Sequence, residues 1–268
     1  MLKEIAAHKW REVIRQKKEY PLEEIIKQLP LISPARNFKE AVQKRFPQLS
    51  IIAEIKKASP SCGVIESHFA QVKSPAEIAL LYQEAGAAAI SVLTEAKYFA
   101  GCPADLKSAK SAVSIPVLRK DFIVDEYQIY ESRAMGADAV LLIASLLAFT
   151  ELKRFLQLLH ELGMAAIVEV GKKEEILRAV QAGAEIIGIN NRNLHTMEID
   201  LRRTLEWGPY VPRDRVLISE SGIHCREQVK QLKELGVNAI LVGNSLMSSS
   251  DPVAKIKELL GEDVSCTR

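Results

Sequence analysis

Cysteine is scarce: four in 268 residues (Cys62, Cys102, Cys225, Cys266), with no C-x-x-C pair among them. That spacing argues against a disulfide framework, and free thiols in a reducing cytoplasm are expected. An excess of one charge is also lacking. Lys and Arg total 36 against 34 Asp and Glu, a net charge of +2, which excludes a nucleic-acid footprint built on bulk charge and leaves room for a basic pocket around one small anion. No long hydrophobic run occurs. The longest apolar stretch, Ala139 to Phe149, falls well short of the ~20 residues a membrane helix needs. The opening Met1-Leu2-Lys3-Glu4-Ile5 places an acid where an export signal requires basic residues and then an apolar run. A soluble, cytoplasmic chain with neither a membrane nor a nucleic-acid partner is expected. The five histidines (His8, His68, His160, His195, His224) form no His-x-x-x-His or His-x-His pair, and no carboxylates cluster at metal-ligand spacing, so neither a metal nor a cofactor is expected. Nucleophile-elbow serines and Walker loops are missing as well.

The composition that is present, 48% hydrophobic and 26% charged with 13 Gly and 11 Pro, is that of an ordinary globular protein. Residues 1–48 read as a polar helical extension. Ile5, Trp10, Val13 and Ile14 recur at helical spacing, Pro21 and Pro30 interrupt the pattern, and so short a stretch packs its apolar side on a larger body instead of building its own core.

From residue 49 onward one phrase repeats: a helix end, a glycine, then a short apolar strand. It occurs around Gly86, Gly136, Gly163, Gly183 and Gly236. The glycine suits the left-handed residue that ends a helix, and the run after it suits a strand buried on both faces. The two long intervals each contain one more strand, Ile115-Pro116-Val117-Leu118 and Arg215-Val216-Leu217-Ile218, and Ile51 to Ile55 opens the series. Eight strands with amphipathic segments between them predict an α/β fold: a parallel (β/α)8 TIM barrel over 49–262, with an N-terminal helical extension over 1–48 and a tail over 263–268, together one domain. An open doubly wound sheet is the alternative, but no G-x-G-x-x-G follows the first strand.

Barrel enzymes carry their chemistry where strands end and βα loops begin. Here the first strand ends Glu54-Ile55-Lys56, the third Arg119-Lys120-Asp121 and the fifth Val168-Glu169-Val170. The sixth ends Asn190-Asn191-Arg192 and the seventh Ser219-Glu220-Ser221-Gly222. Side chains alternate along a strand, so Glu54 and Lys56 share a face, Lys120 is in phase with Leu118, and Glu169 with Ile167. One such pair could be a structural plug. Acids, amides and lysines at five of eight strand ends point to a site for proton transfer. Ser221-Gly222 and Val242-Gly243-Asn244-Ser245 lie after the last two strands, where barrels often hold phosphate on backbone N–H groups. His195 and His224 lie just past strand ends, where a site role is conceivable beside plain loop residence, and the cysteines read as bystanders. These features imply proton shuffling on a phosphorylated small molecule, run by Lys and Glu.

Several stretches resemble the indole-3-glycerol phosphate synthase family: Ile52-Ala53-Glu54-Ile55-Lys56-Lys57-Ala58-Ser59-Pro60-Ser61, Ser91 to Glu95 with Tyr98-Phe99-Ala100-Gly101, and Pro116 to Phe122. Val168-Glu169-Val170, Gly188 to Arg192, Ser219 to Ile223 and Leu241-Val242-Gly243 continue the match along essentially the whole chain. Cys62 departs from a basic residue common in the family, and Asn193 from an Asp. The resemblance implies a carbon–carbon lyase of tryptophan biosynthesis. Its substrate would be 1-(2-carboxyphenylamino)-1-deoxyribulose 5-phosphate, which is cyclised, decarboxylated and dehydrated to indole-3-glycerol phosphate. It implies catalytic roles for Glu54, Lys56, Lys120, Glu169, Asn190 and Glu220, with the acid of ring closure being Lys120 or Lys56. It also implies substrate contacts from Ser59, Pro60, Phe99, Phe122 and Arg192, and a phosphate held by Lys56, Ser221, Gly222, Gly243 and Asn244. A monomer is expected, since the extension can cover apolar surface. Two rivals use part of the same pattern: another phosphate-handling barrel enzyme, such as phosphoribosylanthranilate isomerase or a Schiff-base aldolase, and a non-catalytic phosphosugar-binding barrel.

Overall fold

The computed structural model describes residues 1–43, 48–60, 63–65, 73–194 and 196–262. Eight parallel strands close into one barrel: β1 (Ser50–Ile55), β2 (Ala89–Leu93), β3 (Val117–Lys120), β4 (Ala139–Ile143), β5 (Ala165–Val170), β6 (Ile186–Asn190), β7 (Val216–Glu220) and β8 (Ala239–Val242). Each strand pairs with its neighbours in sequence, and β1 closes on β8 with Ser50 opposite Ala239. As the strand ends read from the sequence imply, β3 and β7 run through to Lys120 and Glu220. The backbone ladder therefore carries these two side chains as part of the barrel wall.

Helices alternate with the strands and cover their outer face. Pro75–Glu84 starts on a reciprocal Ser74–Glu77 capping box with Pro75 in its first turn, an arrangement that satisfies otherwise orphaned N–H groups. The five repeat glycines all have positive φ, between 72° and 99°, the left-handed conformation that turns each helix into the next strand. Strands are buried on both faces, so the core has two layers. Ile52, Leu118, Leu141, Ile167, Ile218 and Leu241 fill the barrel, while Ile51, Ile90, Val117, Val140 and Ile240 meet the helices.

The extension forms α1 (Leu2–Glu19), α2 (Leu22–Gln28) and α3 (Phe38–Val42). Pro21 separates the first two helices, whereas Pro30 sits inside a short 3-10 turn, Leu29–Leu31. The buried stripe of α1 is Leu2, Ile5, Lys9 and Val13. Trp10 and Ile14, expected on the apolar side, are 42% and 48% exposed, because Lys9 occupies the buried position one turn after Ile5 and one before Val13. Lys9 Nζ lies 2.9 Å from Glu12 and 3.1 Å from Asp121; burial opposes its charge, but these carboxylates outweigh burial and hold its pKa above the ordinary value. Helix α1 is thus fastened beside the end of β3. At the opposite end Ser50 donates to the Ala41 carbonyl of α3.

Candidate active site

One phase rule builds the site. In six strands a barrel-filling residue is followed two positions later by a polar or small residue at the mouth: Ile52 then Glu54, Leu118 then Lys120, Ile167 then Glu169, Gly188 then Asn190, Ile218 then Glu220, Leu241 then Gly243. These mouth residues all line a single cavity, together with Lys56, Ser59, Pro60, Phe99, Phe122, Arg192, Ser221, Gly222 and Asn244. Every residue given a catalytic, substrate-contact or phosphate role from the sequence therefore lines the same cavity. Met1, Leu2 and Ile5 of α1 also line it, so the extension supplies part of the wall.

Two ion-pair groups face each other across the mouth. Lys56 Nζ is 2.7 Å from Glu54 Oε1. Lys120 Nζ hangs 3.3 Å from Glu169 Oε2 and 3.7 Å from Glu220 Oε2. Burial opposes the Lys120 charge, but Glu169, Glu220 and Glu54 overcome it and hold the ammonium above the ordinary lysine range. Burial likewise disfavours the Glu54 carboxylate, yet Lys56, Lys120 and Arg192 lower its pKa overall. Glu220 goes the other way. Burial pushes its carboxyl up to about 8, Lys120 only partly offsets this, and Glu169 and Glu54 add to it. Its Oε1 is buried and accepts no hydrogen bond. Burial thus favours the neutral form of Glu220, and Lys56, Lys120 and Arg192 bring three basic groups to the interior face beside Glu54 and Glu169. Such a mouth favours anions.

Two glycines make room for these carboxylates. A Cβ at Gly188 would overlap Glu220 Oε1, and one at Gly243 would overlap Glu54 Oε1. Ser221 and Gly222 both have positive φ, 71° and 76°, and form a turn over the rim. Asn190 Oδ1 accepts from the Arg192 N–H at 2.9 Å, and Arg192 Nη1 donates to the Met197 carbonyl at 3.2 Å. The Phe99 and Phe122 rings stand 6.0 Å apart and tilted by 39°, an apolar flank suited to a flat ring.

Arg119 points outward, by the same alternation that turns Lys120 inward, whereas Asp121 lies at the cavity's edge with its carboxylate held by Lys9, Thr94 and Arg119. Arg119 bonds Thr94, Ser132 and Asp121 and lies 2.7 Å from Glu131. Sequence reasoning missed Lys9 and the α1 wall, the only signal for Lys9 being its place in an apolar stripe; His224, for which a site role was conceivable from its place after a strand end, lines the cavity rim. Cys102 and Cys225 are free and begin helices behind the loops. Cys62, Cys266, His68, His195 and Ser61 lie outside the described residues. Among the described residues no group of three His, Cys, Asp or Glu is placed to hold a metal ion, and no helix is long and apolar enough to cross a membrane.

Comparison with known proteins agrees with this geometry. Among solved structures, a 3-hexulose-6-phosphate synthase superposes with a TM-score of 0.64 at 16% identity, covering 80% of this chain and 99% of the other, which is a likeness of fold. Among curated relatives, the indole-3-glycerol phosphate synthase of Alkaliphilus metalliredigens is 44% identical over 259 residues, 97% of each chain. That of Endomicrobium trichonymphae is 49% identical over 223 residues, 83% of this chain and 84% of its own. The family model described as indole-3-glycerol phosphate synthase matches residues 2–259. The chain belongs to the indole-3-glycerol phosphate synthase family.

Proposed function

We propose that the chain converts 1-(2-carboxyphenylamino)-1-deoxyribulose 5-phosphate to indole-3-glycerol phosphate, CO2 and water by Lys/Glu acid–base catalysis. The observation that carries this reading is Lys120, suspended between Glu169 and Glu220 at the barrel mouth. In ring closure the ring carbon bearing the carboxylate attacks the ketone carbon. Lys120 gives its proton to the ketone oxygen; a forming alkoxide is basic enough to take it even from a strongly held ammonium. Lys56 faces the departing carboxylate, and loss of CO2 leaves its bonding electrons in the ring, restoring aromaticity. Dehydration then expels the hydroxyl from the former ketone carbon as water, the Lys56 ammonium supplying the second proton to the leaving oxygen, while Glu169 takes a proton from the neighbouring carbon.

Asn190 orients the sugar hydroxyls, Arg192 supports the carboxylate end, and Phe99 and Phe122 with Ser59 and Pro60 confine the anthranilate ring in a reactive pose. Backbone N–H groups at Ser221-Gly222 and Gly243-Asn244, with Lys56, hold the phosphate. Burial favours the neutral form of Glu220, and the basic groups Lys56, Lys120 and Arg192 suit a substrate carrying a carboxylate and a phosphate. A Schiff-base aldolase needs an uncharged lysine amine, and the carboxylates around Lys120 favour the opposite state. The reading includes a cytoplasmic setting, in which Cys102 and Cys225 stay reduced. The test is Lys120→Ala, assayed by indole fluorescence. Turnover should drop by at least roughly 10²-fold, the scale of a lost general acid, with an unchanged circular dichroism spectrum; near-normal turnover removes Lys120 from the mechanism.

A further inference from the structure

We propose that Asn191 is a positioning residue for phosphate binding, fixing the Ser221-Gly222 turn from behind the barrel wall. The proposal rests on the reading of that turn as part of the phosphate cradle. Asn191 directly follows the inward-facing Asn190, so its side chain points out of the barrel, where it is fully buried together with Ser219 of β7 and Thr204 of the following helix, Arg202–Trp207. Its Nδ2 donates to Ser219 Oγ at 3.0 Å and to the Ser221 carbonyl at 3.0 Å. Its Oδ1 accepts from the Thr204 N–H at 3.2 Å and the Thr204 hydroxyl at 2.8 Å. Thr204 Oγ1 and Ser219 Oγ are in turn 2.8 Å apart. Both donors and both lone pairs of the amide are used, which only an amide of this length can do here, and the Thr204 N–H fixes which end is oxygen.

The consequence lies in the bond to the Ser221 carbonyl. Ser221 has φ of 71°, a left-handed conformation that a serine does not adopt readily. In a trans peptide the C=O and the following N–H point in opposite directions. Holding the Ser221 carbonyl on the helix side therefore turns the Gly222 N–H toward the cavity that Ser221 and Gly222 line. The amide at 191 thus aims a donor it does not itself carry. Asn191 also reaches the catalytic side of the wall through its backbone, whose N–H donates to the Glu220 carbonyl at 2.9 Å. Replacing the side chain leaves that ladder bond in place, so the phosphate end should respond while the proton-transfer groups do not.

The test titrates inorganic phosphate into the full chain while the Gly222 amide is followed by NMR, alongside steady-state kinetics. Asn191→Ala should weaken phosphate binding and raise KM by roughly tenfold, the scale of one lost buried hydrogen bond, with kcat within about twofold. Thr204→Val, which keeps the Thr204 N–H but removes its hydroxyl, should move both in the same direction by less, and it covers the event that Asn191→Ala does not fold. In a Ser221→Gly background, where the left-handed turn needs no support, Asn191→Ala should change phosphate affinity by under about threefold. A Gly222 amide that ignores phosphate overturns the cradle reading and this proposal with it. A Gly222 amide that responds, with phosphate affinity unchanged in Asn191→Ala and Thr204→Val, overturns the proposal alone. A fall in kcat equal to the rise in KM also overturns it, since that marks a general loosening of the β6 end.

Discussion

Glu169 and Glu54 are both carboxylates at the same mouth, and their partners separate their roles. Glu54 is locked by Lys56 at 2.7 Å, with its pKa lowered by Lys56, Lys120 and Arg192, so it holds charge more readily than it takes a proton. Glu169 sits 3.3 Å from the lysine proposed to start the reaction. Glu169→Gln, nearly isosteric, should still bind substrate and lose roughly 10²- to 10⁴-fold in kcat, with the acidic limb of the pH–rate profile lost or displaced. Near-normal kcat with an unchanged acidic limb would hand the base role to Glu54. At this scale the sequence was informative wherever alternation applied: Glu54, Lys56, Lys120, Glu169 and Glu220 each follow a strand residue of known facing. It was uninformative about Asn191, whose side-chain partners lie 13 to 30 positions away, and about the tie of Lys9 to Asp121, 112 positions away, because no local period connects these pairs.

The elements were legible because each repeats the same local chemistry. A helix, a left-handed glycine and a buried strand recur five times, and the opening strand with the two strands in the long intervals brings the count to the eight of a closed barrel. Helix α1 was half legible. A helical period was visible, but apolar residues alone placed Trp10 and Ile14 inward, while a buried cation at Lys9 sets the true face. Strand β6 shows how an element is shaped by its neighbour. Gly188 does not have positive φ, so an alanine fits its backbone, yet the added methyl would overlap Glu220 Oε1 and come within 3.0 Å of Ile167 Cγ2. Gly188→Ala should therefore destabilise by about 1–3 kcal/mol, as overpacking does. It should also lower kcat at least about tenfold by moving Glu220 off Lys120, with a smaller change in KM. Thermal melts and kinetics check this together; a variant with normal kcat and an unchanged pH profile would show that Glu220 can move without consequence.

Across the whole molecule, the active-site charges make stability depend on pH in a direction that can be worked out group by group. Glu54 has a lowered pKa, so its contribution is complete above its ordinary value near 4.5 and is lost as pH falls through the folded value. Lys120 has a raised pKa, so its contribution is complete below its ordinary value of 10.5 and is lost only above that. Glu220 alone among these three titrates between them, with a folded pKa of about 8 against an ordinary 4.5. In that window the native state binds this proton and the unfolded chain releases it, so stability falls as pH rises, by at most ~1.4 kcal/mol per pH unit from this group. The decline stops once pH exceeds the folded value. Glu220→Gln removes the titration and keeps the shape. Urea unfolding at about pH 5.5 and about pH 8.5 should show the variant gaining stability relative to the parent at the higher pH, while its turnover falls. Equal pH slopes for the two proteins would mean that Glu220 is ionised in the native state at neutral pH. The interior charge would then be balanced, and the anion-attracting mouth would have to owe its sign to the backbone N–H groups at Gly222 and Gly243 alone.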